Sequence, residues 1–304
     1  MVRKKVTQEN FVRAQKTDKA HHNAQDNKQN SGIVSEFFHS IKQHSFRYNL
    51  GIVCALMCVL CLFLPTPYGI TSPGPTLNVL AKDSGNNTII TISGARTYND
   101  AGQLRLVTVN AAGVPGDYVP VVYAMVQYFS ATSAVLPVES VFGVQTDLRE
   151  YSKKIKKQMS GSQSTAENVA VSYAKKLGVN TDKVKVKLHV DKIGGPSAGL
   201  MYTLGIIDKL TPQNETGGKI IAGTGTISAN GVVGKIGGIQ QKMVGARRDG
   251  ATWFLAPSSN CSSVVGYIPN GLHVVSVDTL DDAYKAVVAI GKGQTADLKT
   301  CSVK

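Results

Sequence analysis

Near its start the chain carries a long run of residues without a charged side chain, from Tyr48 to Ala81. Within this run, residues 50–64 are apolar apart from Gly51 and would span about 22 Å as a helix, short of the ~30 Å hydrocarbon core of a membrane. Counting from Tyr48 to Tyr68 extends the helix to about 31 Å, with an aromatic residue at each end, where interfacial aromatic side chains are favoured. The pattern therefore predicts one transmembrane helix at residues 47–68.

A polar segment, residues 1–46, precedes this apolar run. It holds eight basic and four acidic residues and shows no apolar periodicity, which is typical of a disordered tail. Because basic flanks stay on the cytoplasmic side, we expect a single-pass protein of the cell membrane with a cytoplasmic N-terminus and an extracytoplasmic remainder. A buried core helix and a cleaved signal peptide are the alternatives, but the residues after the apolar run, Leu62-Phe63-Leu64-Pro65, offer no small-residue cleavage site.

Beyond the apolar run, turn residues divide residues 69–164 into short extended pieces. Residues 76–80, 88–93 and 104–109 are predicted strands, because each is bounded by Gly, Pro, Asn or Asp. Residues 119–128 are apolar and fit either a strand or a helix. Ser and Gly at residues 159–163 predict a hinge, so we expect a strand-rich part to end at residue 164.

Residues 165–304 alternate between helical and extended patterns, and Ser164 with Glu167 fits a capping box that opens a helix at 165–177. The predicted order after it is strand 184–190, helix 197–210, strand 219–228, a hairpin turn at Asn230-Gly231, helix 236–248, strands 252–256 and 274–277, and helix 279–290. This mixture of elements predicts an α/β or α+β fold.

Charge and cysteine content narrow the possible partners. The 304 residues carry a formal net charge of +13, which by itself is compatible with nucleic-acid binding. No zinc-finger spacing, aromatic RNA-binding signature or Arg-rich helix accompanies the charge, so the sequence predicts no nucleic-acid partner, and it predicts no metal site and no cofactor. Three of the five cysteines lie in the apolar run, and the remaining pair, Cys261 and Cys301, is expected to form a disulfide outside the cell.

A predicted strand, a tight Gly-Pro turn and an apolar helix surround Ser197. This arrangement presents a hydroxyl at a helix N-terminus, where N–H groups and the helix dipole stabilise an oxyanion. Residues 195–199 (GPSAG) also match the G-x-S-x-G pattern of α/β-hydrolases, although a serine that merely caps a helix is the more common meaning of such a match. In a hydrolase the triad would be Ser197, Asp249 and His273.

A lysine is the alternative base for this serine, provided that burial lowers its pKa by several units. In the predicted helix 236–248, Lys242 shares a face with Ile239, Met243 and Ala246. Charged residues are rare on the core side of a helix, and a lysine at the rim of that face with its amine in water is the structural alternative. Lys242 is our candidate for the general base.

Two long motifs carry a family resemblance, GGPSAGLMYTLGIIDKLTP at 194–212 and KIIAGTGTISANGVVGKIGGIQQKMVGARRDGA at 219–251. They closely resemble the proteolytic domain of Lon proteases, and the resemblance extends over residues 165–290. The stretch LPTPYGITSPGPTLNVL is similar to the membrane-anchored, PDZ-containing Lon-like proteases of Gram-positive bacteria. Asn260-Cys261 and Cys301 are similar to the actinobacterial branch of that group. The resemblance implies a Lon-type proteolytic domain, residues 165–304, behind a single N-terminal transmembrane helix.

The resemblance also implies roles for individual residues. Ser197 would be the nucleophile of a Ser–Lys dyad, Lys242 its general base, and Thr224 the residue that orients the lysine amine. Backbone N–H groups around Gly195 and Ser197 would form the oxyanion hole, beside the turn residue Pro196. The same resemblance suggests a homo-oligomeric ring, often a hexamer.

The sequence departs from the family pattern in two places. Gly194 stands where Lon enzymes usually carry an acidic residue, which changes the lining of the entrance. Only residues 178–183 separate helix and serine-bearing strand, too few for the PDZ domain of the anchored relatives, and no Walker A motif occurs. The expected function is a membrane-anchored serine endopeptidase that cuts exposed or unfolded protein or peptide segments without ATP. An α/β-hydrolase-type esterase and a non-catalytic anchored scaffold that binds a partner through residues 75–160 are the alternatives.

Overall fold

The computed structural model of the chain describes residues 45–83, 85–114, 116–143, 148–189 and 195–302. It divides the chain into two compact units, one ending at Leu64 and the other beginning at Pro65. The predicted polar tail falls almost entirely outside the described residues.

The first unit contains helix α1 (Phe46–Leu62), which has 17 residues and no buried side chain. The helix ends earlier than the predicted segment 47–68, because the N–H groups of Phe63 and Leu64 close its last turn and the chain then becomes extended at Pro65. The prediction of helix as far as Tyr68 is therefore wrong. Among the described residues, none of the helices combines the length and apolar character needed to cross a bilayer.

The second unit, from Pro65 onward, contains the described strands. In chain order these are β1 (Pro65–Thr66), β2 (Tyr68–Asn78), β3 (Ile90–Ser93), β4 (Gln103–Ala112), β5 (Val119–Pro120), β6 (Ala134–Pro137), β7 (Lys185–Leu188), β8 (Ile220–Gly223), β9 (Thr226–Ile227), β10 (Val233–Gly234), β11 (Trp253–Pro257) and β12 (His273–Val277).

The described helices of this unit connect those strands. They are α2 (Val121–Tyr128), α3 (Val138–Phe142), α4 (Leu148–Lys176), α5 (Gly199–Leu210), α6 (Ile239–Arg248), α7 (Cys261–Val264) and α8 (Leu280–Gly291), with short 3₁₀ turns at Pro196–Ala198 and Ser258–Asn260.

Six of the described strands form one mixed sheet in the order β12-β11-β8-β4-β2-β6. Strands β12, β11, β8 and β4 run parallel to one another, whereas β2 pairs antiparallel with both β4 and β6. The combination of a parallel core, antiparallel edge and connecting helices confirms the mixed α/β prediction.

Side chains alternate between the two faces of this sheet, as the period of a strand requires. On β8, Ile221 packs into a core built with α4, α5 and α8, whereas its neighbour Ala222 packs into a second core built with α6. On β11, Leu255 and Phe254 divide in the same way. Helices α5 and α6 therefore lie on opposite faces of one sheet.

Helix α4 is one continuous element of 29 residues, so the predicted hinge at 159–163 and the capping box at Ser164 are both wrong. The physical reason is that hydroxyl side chains in this stretch bond back to carbonyls within the helix. Thr165 Oγ1 donates to the Gly161 carbonyl at 2.9 Å, and Ser160 Oγ donates to the Lys157 carbonyl at 3.1 Å. Such bonds let Ser and Thr occupy a helix interior, where they do not act as caps.

The remaining predicted elements agree with the structure more closely. Residues 119–128, which fitted either element, fold mainly as α2, and the predicted strand 219–228 is divided into β8 and β9 by Thr224 and Gly225. The turn Asn230-Gly231 connects the antiparallel strands β9 and β10 as predicted. Thr279 caps α8 through a reciprocal capping box with Asp282.

A disulfide joins Cys261, at the start of α7, to Cys301 near the end of the chain. The segment it fastens also runs along the edge strand β12, where the Ser276 N–H donates to the Lys299 carbonyl at 2.8 Å. The disulfide therefore holds the final segment against the sheet. Closing the loop between the two cysteines restricts the unfolded chain by about 4 kcal/mol in the chain-entropy description.

We expect reduction of this disulfide to lower the melting temperature of the folded protein, since the restriction on the unfolded chain is lost. Differential scanning fluorimetry with and without reductant measures the effect, and Cys301→Ser should reproduce it without reductant. The exposed Cys58 provides the control, because Cys58→Ser removes a thiol that forms no disulfide. Two free thiols at Cys261 and Cys301 in the oxidised protein, found by alkylation and mass spectrometry, would contradict the assignment.

Candidate active site

Ser197 lies in the 3₁₀ turn that leads directly into helix α5. Gly195 precedes the turn with φ +94°, a conformation that side-chain-bearing residues rarely adopt, and Pro196 supplies the fixed φ suited to the first position of a helix. The Ser197 carbonyl accepts hydrogen bonds from the Gly225 N–H at 2.9 Å and from Thr224 Oγ1 at 3.1 Å. The serine backbone is therefore fixed to the segment that follows β8.

Helix α4 supports the serine turn from the other side. Ser162 Oγ donates to the Pro196 carbonyl at 3.0 Å. Gly199 permits close packing here, because a Cβ on this residue would lie 2.9 Å from Ser162 Oγ and 3.2 Å from the Ile227 backbone nitrogen. Sequence reasoning assigned Ser162 to a hinge and missed this contact, since nothing local distinguishes a serine that bonds to a distant turn.

Lys242 projects from α6 towards this serine from the opposite face of the sheet. Its side chain is only 4% exposed and shares its buried face with Ile239, Met243 and Ala246, as the helical spacing predicts. The Lys242 amine donates to Ser197 Oγ at 2.9 Å and to Thr224 Oγ1 at 3.3 Å. The amine therefore contacts two hydroxyls just beyond the carboxyl end of β8, the edge at which parallel sheets commonly bind ligands.

Burial lowers the pKa of the Lys242 amine to about 8 from its ordinary value near 10.5. An amine in an apolar setting loses the hydration that stabilises its charged form, so the neutral form gains population. A neutral amine accepts a proton, whereas an ammonium cannot. Ser197 Oγ lies 2.9 Å from the Lys242 amine, which donates to it when charged and can take its proton when neutral, so the pair fits a nucleophile activated by a neighbouring base.

Thr224 connects the lysine to the serine backbone and is fully buried. Its N–H donates to the Leu255 carbonyl on β11 at 3.1 Å, while its hydroxyl donates to the Ser197 carbonyl and accepts from the Lys242 amine. Both the N–H and the hydroxyl of this threonine are therefore engaged in hydrogen bonds. The Thr224 hydroxyl thus lies between the lysine amine and the serine carbonyl.

Asn260 holds the segment that enters α6, and its role was not predicted. The buried Asn260 side chain accepts from the Ile236 N–H at 3.0 Å and donates to the Ile236 carbonyl at 2.9 Å. The reciprocal pair fixes the backbone six residues before Lys242. Because the donor and the acceptor of this buried amide both have partners, the side chain holds the segment before α6 in place. The disulfide of the adjacent Cys261 holds the same turn.

The first N–H groups of α5 are engaged, since the Gly199 N–H donates to the Pro196 carbonyl and the Leu200 N–H donates to the Gly225 carbonyl at 3.0 Å. Backbone donors for a negative charge next to Ser197 therefore belong to the turn before the helix. Pro196 has no N–H, so within this turn the donors come from residues on either side of it. The helix that follows is 12 residues long, and its dipole adds positive potential at this end. Residue 194, where the family usually has an acid, lies outside the described residues.

The alternative triad is not assembled among the described residues. Asp249 accepts from the Thr76 N–H and hydroxyl and pairs with Arg248, while the exposed His273 packs against Trp253 with ring centroids 4.7 Å apart. No hydrogen bond recorded in the described ranges connects either residue to Ser197. The geometry therefore favours the lysine as the base.

Comparison with known proteins agrees with this geometry. A family model, the Lon protease (S16) C-terminal proteolytic domain, matches residues 116–289, more than half of the chain. The chain is 29% identical to a Lon protease of Malacoplasma penetrans over 182 residues, 55% of this chain and 22% of that protein. It is 32% identical to a Lon protease of Ureaplasma parvum over 147 residues (44% and 18%) and 33% identical to Lon protease 2 of Herpetosiphon aurantiacus over 128 residues (37% and 15%). The chain thus spans 15–22% of the length of these relatives.

We expect Lys242→Met to stabilise the fold at pH 7. The lowered pKa means that burying the charged amine destabilises the fold by about 3 kcal/mol at that pH, a penalty that methionine does not carry. The variant also loses the hydrogen bonds of the amine, which offsets ~1 kcal/mol of this gain. The free energy of unfolding measured in urea titrations should therefore rise by about 2 kcal/mol. The wild-type protein should itself gain stability as the pH rises from about 8 to 10.5, because only the unfolded state still binds the lysine proton there.

Lys235→Met is the matched control, since this lysine is exposed and its replacement removes the same charge without relieving burial. It should leave the free energy of unfolding nearly unchanged. A loss of stability in Lys242→Met at pH 7 would contradict the assignment of a strained, buried amine.

Proposed function

Because the chain belongs to the Lon protease (S16) C-terminal proteolytic domain family, we propose that it is a serine endopeptidase with Ser197 as nucleophile and Lys242 as general base. The observation that carries the proposal is the 2.9 Å contact between the buried lysine amine and the serine hydroxyl. Thr224 orients the amine in this proposal, and the turn at Gly195 and Pro196 presents the serine.

The reaction follows from these positions. The neutral Lys242 amine takes the proton of Ser197 as the oxygen attacks the peptide carbonyl, and backbone N–H groups of the turn around Gly195 and Ser197 stabilise the resulting oxyanion. The lysine ammonium then gives its proton to the departing amine, which leaves an ester on Ser197. A water that loses a proton to Lys242 hydrolyses this ester and restores the dyad.

We further propose that the chain cuts exposed or unfolded protein segments without ATP. The sequence carries no Walker A spacing, because the glycine-rich stretch 231–235 lacks both the required interval and the following Ser or Thr. Helix α4 ends at Lys176 and β7 begins at Lys185, an interval too short for an inserted substrate-binding domain. Hydrolysis of casein by the purified chain, with ATP supplied or removed by apyrase, tests this part.

We also propose that α1 anchors the chain in the cell membrane, with the basic N-terminal tail cytoplasmic and the catalytic unit extracytoplasmic. Large apolar side chains are exposed around the helix, among them Leu56, Met57 and Leu60. Its 17 residues would span about 26 Å, and bilayers accommodate a short span by local thinning. The assembly that the resemblance suggests, a homo-oligomeric ring, is tested by sedimentation of the detergent-solubilised full chain.

Peptide hydrolysis by the full chain should fail when either member of the dyad is removed. We expect Ser197→Ala and Lys242→Ala each to lower kcat/KM by at least about 10³-fold, with little further loss in the double variant, because the two residues act as a unit. Lys242→Arg should also be inactive, since a guanidinium remains protonated. Thr224→Val should retain more activity than either. For the wild type, kcat/KM should rise with pH and level off above about pH 8, where the base is neutral.

His273→Ala is the control for the dyad, because it removes the rival base from the surface of the sheet edge. It should hydrolyse the peptide at nearly the wild-type rate. Loss of activity in His273→Ala together with turnover by Lys242→Ala would assign the chemistry to the hydrolase triad and overturn the proposal.

Protease added to intact cells should digest the catalytic unit if the proposed anchor is correct. A protected fragment of about 25 kDa, the size of that unit, would contradict the topology. Introducing charge with Leu56→Arg and Leu60→Arg should release the chain from the membrane fraction, because charged side chains are costly in the hydrocarbon core. Leu56→Ile with Leu60→Ile is the matched control and should leave the chain in the membrane fraction.

A further inference from the structure

Three acidic side chains distant in sequence converge behind the candidate active site. Asp208 lies in the last turn of α5, Glu215 in the connection from α5 to β8, and Asp100 in the loop before β4. A carboxylate oxygen from each lies within 4.8 Å of the others. Asp208 and Glu215 are each only 3% exposed. Ionised carboxylates are almost never buried in this way unless a positive charge or hydrogen-bond donors compensate them.

Several oxygens of this cluster have no donor. Both oxygens of Asp208 and Oε2 of Glu215 are buried and accept no hydrogen bond from the part of the chain that the structure describes. Buried polar atoms are otherwise satisfied in folded proteins, so three unsatisfied oxygens at one place indicate a missing partner. That partner must be positively charged or must donate hydrogen bonds.

The other oxygens of the cluster are held in place by the surrounding backbone. Asp100 Oδ1 accepts from the Gly102 N–H at 2.7 Å, and Oδ2 accepts from the Thr216 N–H at 2.9 Å. The hydroxyls of Thr216 and Thr211 donate to Asp100 and Glu215. These bonds orient the carboxylates of Asp100 and Glu215, whereas neither oxygen of Asp208 accepts a hydrogen bond from the described residues.

We propose that Asp100, Asp208 and Glu215 bind a hard divalent cation, with Ca²⁺ preferred over Mg²⁺. Carboxylate oxygens are the ligands that both ions use, but their sizes differ. Mg²⁺ gives up its water reluctantly and is usually held by one or two carboxylates, whereas Ca²⁺ takes a larger number of oxygen ligands in a flexible geometry. Three converging carboxylates therefore favour Ca²⁺.

The surroundings of the cluster include a cavity through which an ion can enter and one positive charge that opposes its binding. A cavity of about 180 Å³ borders Asp100, Asp208 and Lys209, which leaves room for water ligands. The positive charge of Lys209 in the same cavity weakens cation binding, and Lys209→Gln should tighten it.

Cation binding would link the far ends of α5 and β8, the two elements whose other ends lie next to Ser197 and Thr224. Helix α5 begins two residues after Ser197 and reaches Asp208 in its last turn, while β8 begins five residues after Glu215 and leads to Thr224. An ion at the cluster would thus tie the α5–β8 connection to the loop before β4. This inference concerns binding and stability, so it does not depend on the proposed protease activity.

Thermal unfolding of the full chain tests the site. Adding CaCl₂ to protein stripped with EDTA should raise the melting temperature by about 5 °C at a concentration ~100-fold above the dissociation constant, and MgCl₂ should act only at higher concentration. Asp208→Asn and Glu215→Gln should each abolish the shift. Asp182→Asn is the matched control, because it removes an exposed acid outside the cluster and should keep the full shift.

Terbium luminescence provides a second readout that needs no variant. Tyr284 donates to Glu215 Oε1 at 3.3 Å, so Tb³⁺ in the cluster should emit when tyrosine is excited, and Ca²⁺ should displace it. Absence of both the CaCl₂ shift and the emission would overturn the proposal. So would an Asp208→Asn protein that is more stable than wild type in EDTA while the wild type ignores CaCl₂, because Asp208 would then share a proton with Asp100.

Discussion

The buried amine of Lys242 is the constraint on which the site depends. An amine removed from water loses hydration free energy, and the surrounding core has to supply the packing that offsets this loss. Because of this burial the amine is neutral at a moderately alkaline pH. It lies within hydrogen-bonding distance of two hydroxyls. The apolar side chains that bury Lys242 on α6 therefore contribute to the chemistry, because they lower the pKa of its amine.

The mixed sheet is what brings the two members of the pair together. Ser197 arrives with α5 on one face, Lys242 arrives with α6 on the other, and they meet at the end of β8. Thr224 follows that strand and bonds to both sides. Contacts outside the sheet hold the two residues separately. Ser162 on α4 supports the turn that carries Ser197, and Asn260 holds the segment that leads to Lys242, so the geometry of the pair depends on several parts of the chain.

The sequence pattern was sufficient to predict those parts of the site that depend on residues close together in the chain. The glycine turn before Ser197 and the helical spacing around Lys242 both predicted what the structure has. Features that depend on side-chain hydrogen bonds or on tertiary contacts were missed. The length of α4 depends on hydroxyls that bond within the helix, and the acidic cluster at Asp208 joins residues more than a hundred positions apart. The end of α1 was misplaced because β1 pairs with the distant β5.

The activation of Ser197 by Lys242 is tested most directly by labelling with a fluorophosphonate, which reacts with a serine only when its oxygen is activated. We expect mass spectrometry to find the label on Ser197, the rate of labelling to rise with pH up to about 8, and Lys242→Ala to remove the label. An unchanged labelling rate in Lys242→Ala, or a label on another residue, would contradict the activation of Ser197 by Lys242.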